Sequence, residues 1–590
     1  MIEPRLYRAA FLPALLATVI AAFSLENRPH AVPQGLPADV LFEGSLASST
    51  VGQIVQDARD RRVGTPGDAR TARRVAHAFR SFGFQTTIER FRGEDTNLVN
   101  VVGRRPGLSR HEVVLLASRD ALSVPDATGS AADTAALMEV ARVLAGRATH
   151  KTVVLASVDG GTLGDAGARR FAQHVGDPGL VDGALVLSNL GAPHSHGPLL
   201  VDWSNDSRRG SLGLRRTATD SLRNELGTDG GPSATPPAQV ARLAFPVGLG
   251  AQGVLLERGV DAIRLSGSGE RAPPPGSRAL DDLRAQRYGE LGRSALRVVS
   301  ALDASAARPE HGPRSYVLAG GGVVPGWALE ILAAALILPA LVASIDALAR
   351  AGRRGEAVVP WLEWVIAGTV PFALGLGVGE LLTLVGVAKD APASPIEPSL
   401  APVDGAALGA LAGVAFVALL TWVLLRTPLV RRGGALPDAG APGAGVATAL
   451  VLCAAAIGTW FLNPFACLLF ALPLHCWMLA ALSGVRRSAR VWLVVIGLLP
   501  VAIVLGAYMR ELRLGPLEAL WYGFLLVTGG QIGVPTALLG CVIAGLFGAT
   551  VAIVVARWRT GAPAVAPAGD SGPPRPAAVG PATRLEQVSR

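Results

Sequence analysis

The chain has 590 residues, a formal charge of +9 and a mean hydropathy of +0.40, too long for one core and too apolar for a wholly water-soluble protein. Its basic residues are almost all arginine, with lysine only at Lys151 and Lys389, and they form no stripe with interleaved aromatics; this excludes nucleic acid as a partner. The four cysteines, Cys453, Cys467, Cys476 and Cys541, lie in the apolar C-terminal part, so the polar part carries neither a disulfide nor a thiolate metal site.

A bilayer core needs about 20 apolar residues as a helix. The first candidate, residues 9–25, follows Arg5 and Arg8, which places the N-terminus inside. It is either a signal anchor, the preferred reading, or a cleaved signal peptide with a weak site at Ala22-Phe23-Ser24. Both readings put the polar stretch beyond it outside the cytoplasm.

Residues 33–314 alternate between strand and helix. Ala72, Val75, Phe79 and Phe82 have helical spacing within 68–82. Residues 85–91 and 98–103 read as strands. The continuous apolar runs 113–118 and 152–157 read as buried strands, with a further strand at 184–190. Helices are expected at 131–145, 165–174, 208–226 and 280–302. The pattern predicts an α/β fold, a mostly parallel sheet with helices on both faces. The site is then expected after Leu116, Leu155 and Leu187, at the C-terminal strand ends.

Seven more membrane segments are expected: 323–345, 359–387, 406–425, 443–461, 465–482, 491–508 and 534–556. Arginines close the inward ends at Arg350, Arg353, Arg354, Arg426, Arg431, Arg432, Arg486, Arg487, Arg490, Arg557 and Arg559, so both termini are assigned to the cytoplasm. Asn463-Pro464 marks a tight hairpin. Residues 516–530 are apolar but read as interfacial or re-entrant. Trp327, Trp361, Trp364, Trp460, Trp492 and Trp521 fall near segment ends, as an aromatic belt requires. The Pro-, Ala- and Gly-rich tail is expected to be disordered. The domains are therefore 1–32, an N-terminal signal anchor; 33–314, an extracytoplasmic α/β domain; 315–559, a seven-helix membrane domain; and 560–590, a cytoplasmic tail.

The strand ends carry a family resemblance. Asn100-Val101-Val102-Gly103, the run 113–120 (VVLLASRD), residues 129–144, the run 152–172 (TVVLASVDGGTLGDAGARRFA), Leu187-Ser188-Asn189-Leu190-Gly191 and residues 250–265 stand in the order of the co-catalytic zinc aminopeptidases, peptidase family M-twenty-eight. The resemblance covers roughly residues 45–305. The anchor, outer domain and helix bundle are similar in arrangement to endoplasmic-reticulum metallopeptidases and the GPI-transamidase subunit Gaa-one.

That resemblance implies two zinc ions held by two His, two Asp and one Glu, with a further Glu as general base. Carried over, the first His position is Ser118, the bridging Asp is Gly129, the adjacent Glu pair is Gly161-Thr162, the next Asp is Ser188 and the last His falls near Gln252. Only Asp120 survives, a residue that orients a ligand. Ser, Gly, Thr and Gln are poor zinc ligands. Asp126, Asp133 and Asp159 are near, but strand and helix phasing sets them off the ligand positions. No catalytic residue, metal or cofactor is expected, and the seven positions mark a ligand cleft.

Other signals have plainer readings. His194-x-His196 reads as a solvated loop, and Gly160-Gly161 as turn chemistry. Ser118 has no histidine placed as its base. Glu330 and Glu380 are intramembrane polar candidates on segments adjacent in sequence, and His475 reads as a hydrogen-bonded packing residue. The expectation is a multi-pass cell-membrane protein whose partners are the lipid bilayer and a peptide, protein or envelope ligand. The alternative is a membrane-bound metallopeptidase or amide-bond-handling enzyme with a non-standard site. A transporter-like bundle is disfavoured because internal repeats are not evident.

Overall fold

The computed structural model describes residues 3–33, 41–93, 96–231, 234–388, 394–424, 439–482, 484 and 486–559. Arg426, Arg431, Arg432, Lys389 and the tail 560–590 lie outside the described residues.

Seven strands form one sheet: β1 (Gln85–Gly93), β2 (Thr96–Arg105), β3 (Glu112–Ser118), β4 (Thr152–Val158), β5 (Val181–Ser188), β6 (Leu200–Val201) and β7 (Ala262–Ser266). Their order is β1-β2-β4-β3-β5-β7-β6. The centre, β4-β3-β5-β7, is parallel, while β1, β2 and β6 join antiparallel. The expectation of a mostly parallel sheet holds at the centre and is corrected at the edges. Only two residues separate β1 from β2, too few for the crossover that a parallel pair needs.

Alternation along the central strands builds two cores. Val113, Leu115, Ala117, Leu155 and Leu185 face one layer. Val114, Leu116, Val154, Ala156 and Val186 face the other. Successive side chains point to opposite faces, and both faces are covered, which is why these strands read as unbroken apolar runs. The helices of this head domain are α3 (Gly44–Asp57), α4 (Pro66–Ser81), α5 (Ala132–Leu144), α6 (Ala166–His174), α7 (Leu212–Leu226), α8 (Pro236–Ala244), α9 (Ala251–Glu257) and α10 (Ala285–Ala304). Two short ones, α1 (Pro4–Ala9) and α2 (Leu12–Phe23), precede them. Thr65 caps α4 by accepting from the Asp68 backbone N–H, with Pro66 in the first turn.

After a hairpin of β8 (Tyr316–Ala319) and β9 (Gly322–Pro325) come α11 (Gly326–Arg353), α12 (Val359–Ala367), α13 (Val370–Leu384), α14 (Gly405–Leu424), α15 (Pro442–Leu462), α16 (Pro464–Leu482), α17 (Arg487–Ile496), α18 (Leu499–Glu511), α19 (Pro516–Thr528) and α20 (Val534–Arg559). Among the described residues, eight segments are long and apolar enough to cross a membrane, the first of them Pro4–Phe23. Close packing uses small side chains: Ala333, Ala340, Ala343, Ala444, Ala447 and Ala456 are buried between helices. The first segment packs on α11, and the Tyr7 hydroxyl lies 2.9 Å from His475 Nδ1 while His475 Nε2 meets the Leu336 carbonyl.

One end of the bundle meets the head. The Asn463 amide donates to the Leu243 and Ala244 carbonyls at 2.9 and 3.0 Å, Arg242 pairs with Glu511, and Gln531 donates to the Asn205 carbonyl. Arginines gather at the opposite end, with Arg350 on Asp346 and Arg557 on the Ala481 carbonyl. The helix α19 has 13 residues, about 20 Å, against the roughly 30 Å of a hydrocarbon core. Both its flanks touch the head, through Arg271 to the Leu512 and Arg513 carbonyls and through Gln531 to Asn205. The aromatic belt needs correction. Trp327 and Trp492 are exposed, but Trp361, Trp364 and Trp521 are packed inside the bundle.

Candidate functional site

The parallel strands end side by side at Ser118, Val158, Ser188 and Ser266. A cavity of about 120 Å³ opens there, lined among others by Ser118, Asp120, Gly161, Thr162 and Ser188. The structure thus brings five of the seven expected positions together. Larger cavities exist in the head, one beside Asp261 and Arg314 and one beside His196 and Glu290, but neither lies at these strand ends, where an open α/β sheet presents its loops.

Gly129 and Gln252 do not line the cleft. Gln252 is fully buried, and its amide donates to the Leu249 carbonyl at 2.8 Å, while its Oε1 has no hydrogen-bond partner among the described residues. Gly129 sits at a kink before α5, its φ of −97° and ψ of −115° outside the helical region. A Cβ added there would come within 2.5 Å of Asp126 Oδ1, so the space for a side chain at 129 is taken by a neighbouring carboxylate. At Gly161 an added Cβ would lie 2.9 Å from both Cβ and Oγ of Ser118. The loop has closed onto β3 where the resemblance places a general base.

Asp120 explains how that loop is held. It accepts from the backbone N–H groups of Gly161 and Thr162, both at 2.8 Å, and from the Thr162 hydroxyl at 2.7 Å. Burial pushes its carboxyl up, against the pull of these donors. Beside it, Arg119 is fully buried and ties β3 to Asp68 at 2.7 Å, to Asp159 at 3.2 Å and to the Val99 carbonyl.

Asp126 and Asp133, near the site but off the ligand positions in the sequence, both line the cleft. Asp126 accepts through Oδ2 alone, from the backbone and hydroxyl of Ser130 and from the Leu122 N–H; its Oδ1 is buried without a hydrogen bond among the described residues, 3.7 Å from Arg278 Nη1. Asp133 accepts from the Asn189 and Leu190 N–H groups at 2.7 and 2.9 Å. Burial pushes Asp133 up to about 8. Burial first and Asp120 second push Asp165 up to about 7. Asp159 stays outside the cleft and also rises to about 7, burial outweighing Arg119. Among the described residues no group of three His, Cys, Asp or Glu is placed to hold a metal, and no histidine lines the cleft.

Three lining residues escaped sequence reasoning. Asp165 precedes α6 in the left-handed region, φ 57°. Arg264 on β7 is 5% exposed and donates to the Glu270 carbonyl at 2.7 Å. Glu397 comes from the segment between α13 and α14. An arginine inside the apolar run of β7 was a usable signal; Glu397 offered none, being remote in sequence. The two membrane acids, Glu330 and Glu380, are both half-buried. They lie on helices with different neighbours, α11 against α15 and α16, α13 against α14 and α20, and no hydrogen bond or ion pair joins them among the described residues.

These features define a mixed α/β head with a strand-end cleft, seated on apolar helices. No protein-family model matches the chain, and no curated protein matches it. Solved structures similar to it include a glutaminyl cyclase from an Acidobacteriales bacterium, with 17% identity over 46% of this chain and 99% of that one, TM-score 0.37. A zinc aminopeptidase from Bacillus subtilis shows 12% identity over 47% and 99%, TM-score 0.38. A leucine aminopeptidase precursor from Bacteroides thetaiotaomicron shows 14% identity over 46% and 99%, TM-score 0.36.

Proposed function

We propose that this is a multi-pass membrane protein whose head lies outside the cytoplasm and works by binding rather than by zinc catalysis, with a peptide, protein or envelope molecule as ligand or assembly partner. The observation that carries this reading is the closure at Gly161. A general base there would need a side chain where Ser118 already stands. The position of the bridging ligand, Gly129, is likewise filled by Asp126. Asp120 and Asp133 spend both oxygens on backbone N–H groups, the work of loop anchors. Five acids in one cleft (Asp120, Asp126, Asp133, Asp165 and Glu397) favour the second reading, an enzyme with a non-standard site, and the same experiment separates the two. The purified full chain in lipid nanodiscs is equilibrated with zinc, assayed for metal by mass spectrometry and offered aminoacyl amides. The expected result is no tightly held zinc and no turnover. Two zinc ions per chain with turnover that a chelator stops would overturn the proposal.

A further inference from the structure

The cleft is not closed by the head alone. Pro395, Glu397 and Leu400, from the segment joining α13 to α14, form part of its lining. Glu397 reaches in with its carboxylate. One oxygen accepts from Arg271 Nε at 3.2 Å and the other from the Ala272 backbone N–H at 3.0 Å. Burial pushes the Glu397 carboxyl up, against the pull of that N–H and of Arg271, Arg278 and Arg264. Arg278 is buried, its Nε spent on the Pro273 carbonyl and its Nη1 facing Asp126. Arg264 is also buried and lines the same cleft, and its Nε has no hydrogen-bond partner among the described residues. One arginine and one backbone N–H therefore hold the carboxylate, with a second arginine in the cleft beside it. A pair of roughly parallel donors is what a planar, two-oxygen anion requires.

The segment carrying Glu397 is a strap held from behind by the membrane domain. The Tyr522 hydroxyl donates to the Ile396 carbonyl and the Trp521 indole to the Ala401 carbonyl, both at 3.0 Å. Arg169 of the head donates to the Ser394 hydroxyl. Both donors of the membrane side lie on α19, the short helix whose two flanks are tethered to the head.

We infer that the place where Glu397 enters the cleft, held by Arg271 and the Ala272 N–H with Arg264 in the lining, is an anion subsite for a carboxylate-bearing ligand, and that Glu397 is its built-in occupant, which an arriving ligand replaces. Arg264 supplies the unspent donor that such a ligand meets beyond Glu397's own contacts. Exchange of Glu397 for an external carboxylate releases this contact, while α19 and Arg169 still hold the strap at Ile396, Ala401 and Ser394. The inference deepens the binding role proposed above and rests on it.

The test uses the full chain in nanodiscs and thermal unfolding of the head. Glu397→Ala empties the subsite, and acetate at tens of millimolar should restore most of the lost midpoint, where chloride of equal ionic strength does not. Adding Arg271→Ala should weaken the acetate response by roughly 10-fold, the value of one charge-assisted hydrogen bond. Glu397→Gln, which keeps the space filled, should not respond. Glu397→Ser serves the same test if the alanine variant fails to fold. Acetate acting no better than chloride, or acting equally on the double variant, overturns the inference. Restoration by inorganic phosphate but not acetate overturns the carboxylate assignment. Tightly held zinc would instead refute the binding role, a different failure from a missing acetate response.

Discussion

Gly161→Ala puts the closure of the old base position to a direct test. The new Cβ would stand 2.9 Å from Ser118 Cβ and 3.2 Å from Asp120 Oδ1. Neither neighbour is the free end of a flexible chain. Ser118 Cβ is fixed by a central strand, and Asp120 is fixed by three hydrogen bonds to the same loop. Relief requires the loop to lift, which lengthens the two 2.8 Å bonds from Gly161 and Thr162 to Asp120. Overpacking of this kind costs about 1–3 kcal/mol, and a net hydrogen bond contributes about 1 kcal/mol. A loss of about 2 kcal/mol lowers the midpoint of a unit this size by roughly 4–8 °C. Ser118→Gly removes the obstructing atoms at a cost of about 0.5–1 kcal/mol. The double variant should then recover much of the loss, a coupling of at least about 1 kcal/mol in a double-mutant cycle. Thermal unfolding of the full chain in nanodiscs reads all four proteins. Additive effects, or a Gly161→Ala protein as stable as the parent, would refute the reasoning.

The charges set two further outcomes. Asp133 is raised to about 8 in the folded head, while Asp159 and Asp165 are raised to about 7. Folding therefore favours their protonated forms, and stability should be greatest near pH 4 and fall as pH rises toward 8. The ceiling from Asp133 is about 6 kcal/mol, and water entering the cleft lowers it. Asp133→Asn should flatten the profile between pH 5 and 8.5, and a profile that rises over that range would refute the assignment. Reporter fusions after Gly276 should read extracytoplasmic, and those after Gly355 and Ser488 cytoplasmic; a cytoplasmic signal at Gly276 would reverse the layout.

Much of this architecture was legible because its physical causes are local. The buried strands β3 and β4 announced themselves as runs of apolar residues, and the eight membrane segments by length and hydropathy. The hairpin at Asn463 was visible in its Asn-Pro pair. The sheet's antiparallel edge was also recoverable, because two residues cannot make a crossover. The short β6 offered little, since two residues carry no period. Trp361, Trp364 and Trp521 misled, because an indole fits a helix interface as well as a lipid headgroup when its N–H finds a partner, as that of Trp521 does. The cleft was half legible. Strand ends located the region, and the family resemblance singled out Ser118, Asp120, Gly161, Thr162 and Ser188 within it. Asp126 and Asp133 were legible as acids near these positions, but not that the kink before α5 leaves both lining the cleft. Glu397 belongs to a tertiary contact between domains that no local pattern encodes.

Asn463 does two jobs with one amide. Its oxygen accepts from the Phe465 and Ala466 N–H groups and so starts α16, while its nitrogen donates into the head at Leu243, Ala244 and Ser207. The first turn of a membrane helix and the seat of the head are thereby one object. An added residue in this hairpin would rotate the cap by about 100° about the helix axis and pull the amide from its three acceptors. The two domains are thus coupled at one side chain, and a head lacking the Leu243, Ala244 and Ser207 acceptors would arrive without the sockets this peg requires.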